Sequence, residues 1–476
     1  MLRGATSGSR GSARLAIRIA ALAALAAILA HGAALLAGPP VRGLADNGDF
    51  WRVGRGAGLW VPDDPESRNR FVRPSFERAD GHLADAFSSA ALLVRIAGEL
   101  PPRDPREVSL QRVGLFYLCL AALAFTLALR RGAAPLVCVA FAWVLASPEN
   151  LLMLNSLYAD AAALLGALVI ALSLVRRPGA ARWVTEALLL VGVFLATWSK
   201  QLHAGVGVAA ALASMVGRPP GDRVPTVALL AGLVTFGAVV HFGAGAGLRF
   251  PTINGYHAVF SGVADVSSDP DRVLREHHLS EYRDRVGTHY FGAPVPPDLA
   301  RRVETVSRTQ IALQYLRDPR ALRRTFTVVR RALVSSDRFL GNELPSERHP
   351  GAAIYEEPWS FGALRDRAAA ALPFVAILAL AWLARRRRPW RPLGRKPHRD
   401  AAALATATFL VLTIAFESAG AVLGDGFFAL GRHLHLARFA LDLLLAFAIA
   451  SAIEAATRKL LGPASFLDAI RPRVRR

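Results

Sequence analysis

Four short clusters in the 476-residue sequence carry side chains able to move a proton or hold a phosphate. The first, Asp46-Asn47-Gly48-Asp49-Phe50-Trp51-Arg52, sets two carboxylates three positions apart around a glycine. A carboxylate so placed can take a proton from a sugar hydroxyl as general base, and its aromatic neighbours can anchor at a membrane interface or stack on a sugar. Asn-Gly-Asp is equally ordinary turn chemistry. The second cluster, Asn155-Ser156-Leu157-Tyr158-Ala159-Asp160, ends on an acid that either meets substrate or complements the dipole at a helix start. The third is Trp198-Ser199-Lys200-Gln201-Leu202-His203, whose lysine is one of three in the chain, with Lys396 and Lys459. Lys200 either binds a lipid-linked phosphate or snorkels to the interface. The fourth joins Gly424-Asp425-Gly426 to Gly431-Arg432-His433, two cationic donors beside an acidic turn.

Polar residues also stand in Asn254-Gly255-Tyr256-His257-Ala258-Val259-Phe260, where spacing alone assigns no chemistry. The sequence has no Gly-rich phosphate loop, Ser nucleophile elbow or HExxH motif. Its two cysteines, Cys119 and Cys138, lie in apolar runs and form no metal-ligand pattern, so no metal and no cofactor is expected.

The elements that must hold these clusters are membrane helices. The chain is 53% apolar and 20% charged, with a mean hydropathy of +0.33. That is too little polar surface for a soluble protein of this length and too much apolar residue for disorder. Ten candidate spans follow: 15–38, 112–130, 133–149, 158–175, 183–199, 202–217, 225–243, 367–384, 401–422 and 432–456, several of them short. The expected fold is all-α and polytopic, with about 10 transmembrane helices and no repeats. Arginines concentrate before the first span, near Arg130-Arg131, at 176–182, at 218–223, at 385–399 and in the tail 457–476. The positive-inside rule makes those loops cytoplasmic, with both termini inside. Two long segments, 39–111 within the block 15–243 and 244–366 ahead of the block 367–456, then fall outside. Leu83 to Leu100 reads as an amphipathic stretch able to lie on the membrane. Leu299 to Leu333 reads as helical, with Ile311, Ala312, Tyr315 and Leu316 on one side and a break near Pro319. Its arginine pairs either meet lipid head groups or form a solvated face.

The net charge of +21 at first suggests nucleic acid. Its distribution explains it instead as topology, arginine-rich coding and contact with anionic lipid, so no nucleic-acid partner is expected. The span centres read as almost entirely Ala, Leu, Val and Gly. Polar residues gather at the outer ends, which favours chemistry at the outer membrane surface over transport through it. A flippase or transporter of lipid-linked sugars, and a non-catalytic envelope scaffold, remain the alternatives.

Taken in order, several segments resemble the bacterial glycan-biosynthesis hexose transferases of the S-layer glycan type, which are polytopic GT-C-like membrane glycosyltransferases. The segments are Asn47 to Arg52, Asn155 to Asp160, Tyr256 to Gly262, Phe339-Leu340-Gly341-Asn342, and Leu423 to Gly426 ahead of Arg432-His433-Leu434. Together they run from residue 46 to about 443. The chain departs from that pattern in Asp160, where a Glu is usual, and in Arg432, where a Lys is usual. The resemblance implies transfer of a hexose from a polyprenyl-phosphate donor to a glycan or lipid-linked acceptor, on the outer face of the bacterial cytoplasmic membrane. It also implies an essential aspartate in the first outer loop, Asp49 or Asp46. Lys200, Arg432 and His433 are then expected at the donor phosphate. Asn47, Arg52, Asn155, Tyr158, Asp160, Tyr256, His257 and Asp425 are expected around the substrates.

Overall fold

The computed structural model describes residues 5–39, 41–46, 48–61, 72–79, 88–101, 103–175, 182–217, 230–231, 233–234, 250–334, 365, 367–371 and 398–461. The chain opens with a long helix, α1 (Ala5–Ala37), and a short one, α2 (Phe50–Gly56). A two-stranded antiparallel ribbon pairs β1 (Ser75–Glu77) with β2 (Glu107–Ser109), in register Phe76 to Val108, on either side of α3 (Ser89–Glu99). Helices α4 (Leu110–Arg130), α5 (Pro135–Leu145), α6 (Pro148–Leu154), α7 (Asp160–Leu174), α8 (Arg182–Thr197) and α9 (Ala204–Gly217) follow.

Among the described residues, four helical stretches are long and apolar enough to cross a membrane: Leu15–Ala37, Leu110–Arg130, Ala401–Asp425 and His435–Thr457. They correspond to the first, second, ninth and tenth expected spans. The third expected span, 133–149, is instead a broken pair, α5 and α6, bent by 73°. Pro148 causes the break: it has no N–H to continue the helix, and it forces Ser147 into an extended conformation. Counting that pair once gives up to five spans by length among the described residues. Helices α7 and α8, of 15 and 16 residues, fall below the ~17 needed to cross unaided. The expected spans at 225–243 and 367–384 lie largely outside the described residues.

Helix α7 is buried along its whole length, with α4, α8 and α9 against it. Gly166 and Gly192 let α7 and α8 approach closely, because a Cβ on either would meet the other helix's backbone. The expected surface stretch at 83–100 is α3, and residues 80–87 lie outside the described residues. Ser88 accepts from the Ala90 N–H as N-cap. One face of α3 (Ala90, Leu93, Val94, Ala97) is buried on its neighbours while Leu92 and Ile96 stay exposed, so it is a packed helix with an exposed ridge.

After residue 250 come α10 (Phe250–Ala258), a π turn (Val259–Val263), and α11 (Pro270–Glu276). The helical stretch expected over 299–333 is three helices: α12 (Pro297–Glu304), α13 (Arg308–Arg317) and α14 (Pro319–Val334). Pro319 breaks it as expected. Ser307 adds a second break, its hydroxyl accepting from Gln310 N–H. Ile311 and Tyr315 are buried, but Leu316 is 68% exposed. Helices α15 (His398–Asp425), α16 (Leu430–His433) and α17 (His435–Leu461) complete the bundle, with α15 against α9 and α17 against α5.

Candidate functional site

The clusters meet at one end of the bundle, where α1 has ended, α7 begins, α8 turns into α9 and α15 turns into α17. The two carboxylates between α1 and α2 divide the work. One oxygen of Asp46 accepts from the N–H groups of Gly48 (2.7 Å) and Phe50 (3.1 Å), closing the turn ahead of α2. Asp49 is the N-cap residue of α2, but its side chain makes no cap hydrogen bond. It faces cations instead: Arg432 at 3.5 Å and Arg52 at 3.8 Å. Burial pushes its carboxyl up, but Lys200, Arg432, Arg52 and His433 outweigh burial and hold it below the usual carboxylate range. Asn47 lies outside the described residues.

Asn155 and Tyr158 act on the backbone leading into this turn. The Asn155 amide donates to the Arg42 carbonyl, and the Tyr158 hydroxyl donates to the Ala45 carbonyl at 2.9 Å. The Tyr158 ring meets Phe50 edge-on, 4.8 Å between centroids. Both side chains therefore hold the Asp46–Asp49 turn.

Asp160, the first residue of α7, is buried and contacts Lys200 Nζ at 3.7 Å and His203 Nε2 at 3.2 Å. The other nitrogen of His203 lies 2.8 Å from a Glu417 oxygen. Lys200 sits on an extended residue after α8. The hydroxyls of Ser88 and Ser89 fix that turn by donating to the carbonyls of Ser199 (3.0 Å) and Leu195 (2.7 Å).

Asp425, at the end of α15, lies between two imidazoles, His257 Nδ1 and His433 Nε2, each at 2.7 Å. Tyr290 N–H donates to His257 Nε2 at 3.0 Å, so the His257 proton is on Nδ1 and is donated to Asp425. Phe428 stacks on His257 at 4.2 Å between centroids. Tyr256 is held beside them by Thr288, hydroxyl to hydroxyl at 2.7 Å. The turn presenting Arg432 needs two left-handed residues, Gly426 (φ +58°) and Ala429 (φ +46°). A Cβ at Gly426 would strike the His257 carbonyl, so glycine is required there. Ala429 carries the strain of a side chain in that region, a cost typical of functional turns.

Of the expected site residues in the described part of the chain, eight fall into three sets of charge contacts: Asp49 with Arg52 and Arg432, Asp160 with Lys200, and Asp425 with His257 and His433. Asp46, Asn155, Tyr158 and Tyr256 brace their backbones and loops. The Phe339 to Asn342 segment lies outside the described residues. Among the described residues no group of three or more His, Cys, Asp or Glu side chains is arranged to hold a metal.

Two features were not legible as site residues in the sequence. Glu417 sits fully buried on α15, two turns before Asp425. A second buried network lies behind it. Arg365 forms a fork with both oxygens of Asp442, Nε to Oδ1 at 2.6 Å, and reaches Glu149 at 3.7 Å. Glu149 also accepts from Arg438 and lies 3.4 Å from His435. Asp442 is seven residues into α17, roughly 10 Å from its start. The expectation of span centres that are almost entirely Ala, Leu, Val and Gly thus passed over Glu417 and Asp442, which the bundle buries. Glu417 stands alone in its apolar run, Arg438 and Asp442 share one, and only the fold brings their partners His203, Glu149 and Arg365.

Mostly helical, with several apolar spans and an ionisable cluster where their ends converge, the molecule is an all-α, multi-pass membrane protein. A family profile described as the YfdI N-terminal transmembrane domain matches residues 9–462, and the chain belongs to that family. Comparisons with curated proteins and with solved structures gave no match.

Proposed function

We propose that this protein is a membrane glycosyltransferase. It transfers a hexose from a polyprenyl-phosphate donor to a cell-envelope glycan acceptor at the outer face of the bacterial cytoplasmic membrane. The observation that carries this reading is the setting of Asp49, an ionised carboxylate facing Arg432 within the field of Lys200 and His433. Membership of the family described as the YfdI N-terminal transmembrane domain fits its membrane setting. The acceptor hydroxyl oxygen attacks the anomeric carbon, and its proton passes to Asp49. The bond from that carbon to the phosphate oxygen breaks, and the electron pair leaves with the polyprenyl phosphate. Arg432 and Lys200 donate to the phosphate as its charge grows, while His433, whose Nε2 faces Asp425, steadies the turn that presents Arg432. A single displacement inverts the anomeric centre. When phosphate draws the cations towards itself, Asp49 loses their hold and becomes a better base as the reaction needs one.

The test is transfer by purified protein in liposomes supplied with polyprenyl-phosphate hexose and a membrane extract as acceptor source. Labelled glycan product supports the reading. Its absence across several donor hexoses overturns it.

Transport of a lipid-linked sugar is the second reading, favoured by the buried Glu417 and Asp442. Both are already engaged, by His203 and Arg365, which suits bracing better than a polar path. Movement of labelled donor across a protein-containing bilayer without covalent product would select transport.

A further inference from the structure

We propose that Arg308 is a further phosphate-contacting residue of this site, reaching the donor's anionic group from the loop helices rather than from the membrane helices. The inference rests on the glycosyltransferase reading and adds a residue that neither residue spacing nor family resemblance singled out.

Arg308 is the first residue of α13. That helix buries Ile311 and Tyr315 and packs on α15 and on the π turn that follows His257. The packing brings Arg308 to the Asp425 end of α15. Its Nη1 is buried and makes no hydrogen bond among the described residues. The negative charge that acts on it is Asp425, whose two oxygens already face His257 and His433. A buried guanidinium N–H facing a carboxylate occupied on both oxygens lacks an acceptor, and native structures rarely leave such a donor without use. An incoming phosphate oxygen would supply one. The guanidinium fork suits phosphate geometry better than an ammonium does. Arg432 Nε is a second buried donor without a partner, across the same turn. Two buried guanidinium donors from different parts of the chain, both under the charge of Asp425, describe a site for an anion with several oxygens.

The experiment measures binding of a short-chain polyprenyl monophosphate to purified full-length protein by native mass spectrometry, alongside steady-state transfer. Wild type, Arg308→Gln, Arg308→Lys and a control on an exposed arginine of α14, Arg320→Gln, are compared. A separate arm replaces the lipid with inorganic phosphate, which shows whether the phosphate group alone suffices. Arg308→Gln is expected to weaken lipid-phosphate binding about tenfold and to raise donor KM by a similar factor with little change in kcat. Arg308→Lys should fall between, and Arg320→Gln should match wild type. Unchanged binding in Arg308→Gln, with wild type binding normally, overturns the role of Arg308 alone. Wild type that binds no lipid phosphate overturns the donor assignment and this inference together. Should Arg308→Gln fail to fold, Arg308→Lys decides: binding equal to wild type then overturns the proposal.

Discussion

Asp49→Asn separates chemistry from scaffold. The substitution keeps the shape of the side chain and removes its charge. The lost ion pairs, at 3.5 and 3.8 Å on a carboxylate 19% exposed, are partly solvated. Pairs that are mostly buried are worth more than exposed ones, and removing the carboxylate leaves Arg432 and Arg52 without it, so the fold should lose about 1–3 kcal/mol. Loss of a general base costs about 10²–10⁴ in rate, which is ~2.7–5.4 kcal/mol of barrier. Transfer should therefore fall at least a hundredfold while the melting temperature in detergent shifts by only a few degrees. Asp46→Asn is the matched control. Its amide oxygen still accepts from Gly48 and Phe50, so activity should stay near wild type. The pH profile adds a signed test. Because its cations hold Asp49 below the usual value of about 3.9, it stays ionised through the pH range 5–8 and sets no acid limb there. Its contribution to stability is present above the unfolded value and is lost only as pH falls through the lower folded value. Transfer by Asp49→Asn within threefold of wild type, or Asp46→Asn as impaired as Asp49→Asn, would refute the assignment.

Tyr158→Phe removes the donor to the Ala45 carbonyl and should cost about 1 kcal/mol, with a larger fall in transfer than in melting temperature because the Asp46–Asp49 turn loosens. Asp318 caps α14 through Arg320 and Ala321 N–H and ties Ser267 and Ser268 to it. Asp318→Ala should destabilise the loop helices by about 1–2 kcal/mol, read as faster amide exchange in α14 with little change in the membrane helices. Arg365→Leu strands Asp442 in the bundle and should cost about 3–5 kcal/mol by thermal unfolding, whereas Arg365→Leu with Asp442→Leu should recover most of it. A double variant no more stable than the single one would show that the pair is not the unit.

Hydropathy alone exposes the long helices α1, α4, α15 and α17, because each hides or faces lipid with an unbroken apolar run. The charged ends of the site were readable for a different reason: Asp49, Lys200 and Arg432 stand in short polar clusters just beyond long apolar runs. The bend at Pro148 was written in the sequence, but an apolar count across it merges two helices into one. Glu417 and Asp442 were hidden differently. One carboxylate in a span is compatible with many orientations until its partner is known, and those partners are His203 and Arg365, 214 and 77 residues away. Asp46 and Asp49 could not be told apart by spacing, since only backbone geometry shows which oxygen is spent on N–H groups. Arg308 looked like one more arginine in a basic loop.

The distances along the chain also bear on how the molecule is made. Glu149 meets Arg438 across 289 residues, and Asp49 meets Arg432 only after the last helix turns in. A growing chain inserts the early helices long before those cations emerge. For most of synthesis, Glu149 and Asp160 thus lack the arginine or the Glu417–His203 brace that later surrounds them. The early half must wait, with acids still exposed to water or sheltered by insertion machinery, and the site closes in the last step of assembly. A protein shortened ahead of α17 should accordingly be degraded rather than persist in a partly folded form.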